Sequence, residues 1–240
     1  MQLEYSAAYK FVEIASFLAA MVTAPLIPIF AEKAKNDKAS LRYITSDIAE
    51  FIAVILLPIG VICTSMSQGI ISLVYGSKML PSADVFNILI WVSVIIFYSL
   101  LISSVVISIG VVRYAYWLGA VAAALSVGLN YLLIPKYSYI GSAWVALICE
   151  IVLVGVTITY AIRHIGNIFR WKTWSQIIGL NLTMCMMINQ NFIDLNILLK
   201  IVIVMVLYIF SIIKLRLLRS DIFYVWANKK IFSFINVFKK

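Results

Sequence analysis

An all-α polytopic transmembrane bundle of about seven helices is what the sequence predicts, on three features. Hydrophobic residues make up 64% of the 240 positions and charged residues only 12%, against about 45–50% and about 25% in soluble domains. The apolar residues gather into seven runs, each near the ~20 residues needed to cross the hydrocarbon core. Lys and Arg fall between the runs with a marked sidedness. Hydrocarbon holds no water to satisfy unpaired backbone groups, so the crossings are helices.

The first run, 11–30, opens behind Lys10 and Glu13, and Pro25 and Pro28 loosen its last turns. The polar stretch 31–47 carries Lys33, Lys35, Lys38 and Arg42. Asp47 and Glu50 have capping-box spacing, which predicts a helix start there. The second run, 48–74, is weakest at Pro58 and Gly60. Tyr75-Gly76-Ser77-Lys78 reads as a tight turn, with Pro81 as a first-turn proline for the third run, 83–109.

The fourth run, 116–134, sets Ala120, Ala124 and Gly128 at four-residue intervals, a face suited to close helix contact. Asn130 offers a hydrogen-bonding group near its end. Pro135 has no N–H and stops the helix, Gly141 lets the chain turn back, and Tyr137 and Tyr139 suit headgroup depth. Glu150 falls near the middle of the fifth run, 142–162. A bare charge there costs roughly 2.5–3.5 kcal/mol on insertion scales, so Glu150 is expected to face protein or water.

The sixth run, 175–192, is the most polar, with Asn181, Asn189 and Gln190; the seventh is 195–213. The tail, 214–240, interleaves Lys and Arg with Phe223, Trp226, Phe232, Phe234 and Phe238. That mixture suits an amphipathic helix lying in the membrane interface.

Of the 19 Lys and Arg, four (Lys10, Lys78, Lys136 and Lys200) fall on one side of this threading and the other 15 on the opposite side. The side rich in cations is the cytoplasmic one, which puts the C-terminus inside the cell and the N-terminus outside. The formal charge of +9 is therefore topological and does not point to nucleic acid. Cys63, Cys149 and Cys185 lie in separate runs and His164 stands alone in a basic loop. Neither a disulfide framework, a metal site nor a cofactor is indicated. The start lacks the basic n-region of a cleavable signal, and no internal repeat is visible. An outside N-terminus without a signal points to a piece of a larger transporter.

Several stretches resemble the C-terminal region of polysaccharide biosynthesis flippases, in the multidrug/oligosaccharidyl-lipid/polysaccharide exporter superfamily. They are Tyr5-Ser6-Ala7-Ala8-Tyr9-Lys10 with Glu13, a run ending at Pro28 before a basic loop, and Leu57-Pro58. Ile70-Ile71-Ser72-Leu73-Val74-Tyr75-Gly76 follows at the end of the second run. The strongest match joins Leu129-Asn130-Tyr131, Ile134-Pro135-Lys136-Tyr137, Ile140-Gly141-Ser142-Ala143 and Glu150. The resemblance covers about 3–166. It gives a division into a flippase-like region 1–166, two further helices within 167–213, and the basic tail 214–240.

The resemblance implies a two-lobed bundle that alternates access for an oligosaccharide carried on polyprenyl diphosphate. This chain would supply most of the second lobe, and a separately encoded N-terminal lobe is one partner it leaves open. Membrane lipids and the lipid-linked glycan are the others. Lys10 matches a position where such flippases set a cation toward the central cavity, where it would attract an anionic cargo. The rival reading is a lysine that snorkels to the interface from a run end. Glu13 shares its helix face, and Glu150 matches a recurrent carboxylate. Lys10, Glu13 and Glu150 are thus the candidate substrate-binding residues. Pro28, Pro58, Asn130, Pro135 and Gly141 are the candidate hinge and turn positions. Cation-coupled multidrug efflux is the alternative within the superfamily, and a nonfunctional remnant is a further one. A membrane enzyme would need polar catalytic loops, which the short outer loops do not offer.

Overall fold

The structure, a computed structural model, describes residues 2–110, 112–189 and 197–215. All regular elements among them are helices: α1 (Gln2–Thr23), α2 (Leu26–Asn36), α3 (Lys38–Ser65), α4 (Ser67–Tyr75), a 3-10 turn at Ser77–Met79, α5 (Ser82–Ser108), α6 (Val112–Ile165), α7 (Trp171–Asn189) and α8 (Ile197–Lys214). The all-α expectation holds. Four stretches are long and apolar enough to cross a membrane, Tyr5–Thr23, Lys38–Ser65, Ser82–Ser108 and Trp117–Ile165. The last of these breaks at Ser138, where φ is 53°, and carries both the fourth and the fifth run. α7 and α8 carry the sixth and seventh. The chain forms two compact units, Met1–Arg170 and Trp171–Lys240. The tail beyond 215 and Gln190 lie outside the described residues, as do the side chains of Arg113, Asn189 and Lys200.

α5 is the spine of the first unit, packed chiefly by α1 and α6 and then by α3 and α2. Its Val85, Phe86, Leu89 and Val92 are buried with Ala8 and Val12 of α1, Ile71 of α4 and Ala143 of α6. Alanines at these α1 and α6 positions let the backbones approach closely, which is how helices associate where lipid competes for apolar contact. Phe11 meets Phe86 edge to face with ring centroids 4.8 Å apart.

Helix ends depart from the sequence expectation at four places, each for a local reason. α1 begins at Gln2 and stops at Thr23, because Pro25 has no N–H to continue the ladder. Pro28 then sits in the first turn of α2, where a missing N–H costs nothing. The next helix starts at Lys38 instead of 48. Its cap is Asp37, which accepts from the Ser40 backbone N–H at 3.0 Å and from the Ser40 hydroxyl. Those bonds hold the Asp37 carboxyl below its usual range. Asp47 and Glu50 are therefore interior residues of α3 and cap nothing. Pro58 is buried within continuous α3, and the interruption falls at Met66.

The fourth departure is at the α6 break. Pro135 keeps helical geometry and Ser138 carries the turn. A Cβ on Gly141 would stand 2.7 Å from the Leu133 carbonyl oxygen, so glycine is required there for close approach.

Two ends of the first unit can be told apart. At one, Tyr75 donates to the Ala7 carbonyl at 3.0 Å, and Tyr139 and Ile140 pack on the Ala8–Phe86 cluster. The start of α1, the α4–α5 turn and the α6 break thus share an end, the one to which Lys10, Lys78 and Lys136 belong. At the other, Gly166 takes φ +89° against the Arg42 side chain, and Arg170 reaches α3. Ala120, Ala124 and Gly128, expected to pack against a neighbouring helix, are instead exposed, and a Cβ on Gly128 would meet nothing within 4 Å.

Candidate functional site

Burial on α1 follows helical spacing. Ala8 and Val12 pack on α5 and Ala19 is buried on the same face, with relative exposures of 0%, 3% and 0%. The opposite face carries Lys10, Glu13, Phe17 and Met21, all exposed. Lys10 Nζ donates to Glu13 Oε2 at 2.7 Å, and the two side chains are 58% and 52% exposed. An earlier start to α1 changes what this pair means. Lys10 lies five residues inside the crossing stretch that begins at Tyr5, about 7.5 Å along the axis at 1.5 Å per residue. The pair sits inside the helix and not at its leading edge. A charged pair on an open face of a crossing helix has to reach water, by snorkelling to the near interface or by lining a polar cavity.

Aromatic residues frame the pair. Tyr5 and Tyr9 stack with centroids 5.5 Å apart, and Tyr9 remains partly open. The Tyr75 hydroxyl is committed to the Ala7 carbonyl and its ring stands against Phe11 at 6.5 Å. Phe11 and Tyr75 thus pin α1 so that the opposite face stays free.

Glu150 does not join this pair. It is half-buried on α6, beside Ser99 of α5. Its second oxygen has no protein partner among the described residues. Among the hinge candidates, Asn130 donates to the Ser126 carbonyl at 2.9 Å within its own helix. Pro28, Pro58, Pro135 and Gly141 take the positions given above.

A second charge cluster escaped the sequence. Arg170 donates to Ser46 Oγ at 3.0 Å, places Nε 3.0 Å from Glu50 Oε1, and pairs through Nη2 with Asp47 Oδ1. Glu50 is 6% exposed. The cluster ties the segment after α6 to the first third of α3. A separation of 120 residues hides it from any local pattern; the sequence shows only two carboxylates three residues apart where a basic stretch meets an apolar run. Among the described residues no group of His, Cys, Asp and Glu is arranged to hold a metal.

Residues 4–84 match the family model described as polysaccharide biosynthesis protein. That range contains Lys10, Glu13, Pro28 and Pro58 but not Glu150. Among solved structures, the lipid II flippase MurJ in its inward closed conformation is similar, with a TM-score of 0.70 and 17% identity. The likeness covers 92% of this chain and 46% of that one, so this chain spans about half the length of that flippase. No curated protein matches the chain. The helical, multi-pass fold read from the sequence is borne out, and the resemblance to polysaccharide biosynthesis proteins is supported over residues 4–84.

Proposed function

We propose that this chain is the working second lobe of a flippase that moves polyprenyl-diphosphate-linked oligosaccharide units across the cell membrane. The product feeds cell-surface polysaccharide assembly, and the two lobes alternate access to the cargo. The observation that carries this reading is the Lys10–Glu13 pair, open on the first half of a crossing helix, in the stretch that matches the family model. A lysine there supplies the positive charge an anionic diphosphate needs in a site of low dielectric. The partner is a first lobe, encoded in the same longer chain or separately. Cation-coupled efflux draws less support. Of the acidic groups within the crossing helices, Glu13 is engaged by Lys10 and Asp47 and Glu50 by Arg170, which leaves Glu150 as the carboxylate a coupling ion would need.

Replacing Lys10 by Ala in the assembled two-lobed transporter, reconstituted in liposomes, is expected to abolish translocation of a lipid-linked oligosaccharide. Undiminished transport would remove Lys10 from the mechanism. The cation-rich end, with Lys38 and Arg170, is read as cytoplasmic, and the C-terminus with it. Cysteines placed at 38 and 136 should label from opposite sides of sealed vesicles; labelling from one side would overturn the threading.

A further inference from the structure

We infer that Glu13 is a built-in rival of the cargo for Lys10: its carboxylate holds the lysine when the site is empty, yields to a diphosphate, and reclaims the lysine on release. The inference rests on the reading of Lys10 given above and adds a role for its neighbour. Four observations carry it. The pair lies on the open face of α1, where a ligand can reach both groups. The Lys10 ammonium has three donor hydrogens, and Glu13 engages one at 2.7 Å. The order along the helix, Lys before Glu, is the weaker of the two orientations for a neighbouring pair. Exposed pairs of this kind are held loosely, so a more highly charged anion can open this one.

Glu13 therefore has two effects. With the site empty it pairs with Lys10, so the open face carries no net charge there. With cargo bound, the displaced carboxylate stays within reach of Lys10 and competes to re-form the pair, which favours departure. Lys10 sets the attraction, and Glu13 limits it so that cargo can leave. The ligand chemistry is a diphosphate, free or carried on a prenyl chain.

The test uses the full chain in lipid nanodiscs, with farnesyl diphosphate as one probe and inorganic pyrophosphate as the other. Lys10→Ala is expected to weaken farnesyl diphosphate binding about tenfold or more, the loss of one charge-assisted contact. Glu13→Gln is expected to tighten it about two- to fivefold, the release of an exposed pair, and to slow its dissociation. The double variant should bind like Lys10→Ala alone. Glu13→Asp, a smaller change that keeps the charge, should tighten less than Glu13→Gln and guards against misfolding of the latter. If Lys10→Ala leaves binding intact, the reading of Lys10 fails and this inference with it. If Lys10→Ala weakens binding but Glu13→Gln leaves it unchanged or weaker, Lys10 stands and the rivalry is overturned. Tightening that persists in the double variant also overturns it, because Glu13 would then repel cargo without acting through Lys10. Farnesyl diphosphate binding tighter than pyrophosphate assigns a lipid-borne ligand; equal affinity overturns that assignment.

Discussion

Lys10–Glu13 and Arg170–Asp47–Glu50 are both made of opposite charges within hydrogen-bonding reach, yet they sit in different physical regimes. The first joins residues three apart on one helix, with both side chains more than half exposed. The second joins the segment after α6 to α3, with Glu50 Oε1 at 3.0 Å and side-chain exposures of 27% for Arg170 and 7% for Glu50. An exposed pair contributes little to stability. A buried cluster is costly to break, because any member left alone is a desolvated charge. The difference separates a pair that is free to work on a ligand from one that holds helices in place.

The sharpest way to strain that contrast is to delete Arg170. Arg170→Met removes the cation that Asp47 and Glu50 share. Breaking a buried pair costs roughly 3–5 kcal/mol, and partial solvent access lowers the expectation here to about 2–4 kcal/mol. Denaturant titration of the full chain in detergent, followed by circular dichroism, would measure it. Adding Asp47→Asn and Glu50→Gln to the same variant should recover most of the loss, since the uncompensated charges are then gone. A loss below what the method resolves would put this cluster in the same class as the α1 pair.

A neutral buried pair falls between the two. Asn181 of α7 is 7% exposed and donates to the Ile177 carbonyl at 2.8 Å and to the Tyr208 hydroxyl of α8 at 3.3 Å. It is one of the residues that make the sixth run the most polar, and these bonds satisfy its amide nitrogen. Side-chain hydrogen bonds between membrane helices average about 0.6 kcal/mol and reach about 1.7 kcal/mol. A double-mutant cycle of Asn181→Leu and Tyr208→Phe should give a coupling in that range. A coupling equal to the Arg170 effect would mean that burial, and not charge, governs the ranking.

What could be read from the sequence follows the same division between local and distant. The crossing helices were legible, because a run of about 20 apolar residues has few other uses. Lys10 and Glu13 were legible as a pair, because three-residue spacing puts them on one helical face. Helix ends were less so. Asp37 with Ser40 and Asp47 with Glu50 both offer an acidic group three residues before a polar one, and only the backbone geometry shows that Asp37 caps. Likewise Pro25 breaks the first helix while Pro28, three residues on, does not. At the α6 break the required glycine was foreseen, but the left-handed turn falls on Ser138. Arg170 was read as a topological cation in a basic loop. Nothing nearby in the chain hinted that it reaches back to Asp47 and Glu50.

The smallest expected effect on stability is the most informative about function. Lys10→Ala and Glu13→Gln should leave the unfolding midpoint of the full chain unchanged within the error of the titration that resolves Arg170→Met. The reason is geometric: α1 is held by Ala8 and Val12 against α5, by Ala19 buried on the same face and by the Tyr75–Ala7 bond, none of which involves the open face. Removing either partner leaves the other exposed to solvent, where a lone charge carries little penalty. An unchanged midpoint beside a loss of transport in Lys10→Ala would separate the residue's work from its contribution to folding. A drop comparable to that of Arg170→Met would show that the α1 face is covered in the folded protein. Lys10 would then be a structural ion, and the cargo would have to find its positive charge elsewhere.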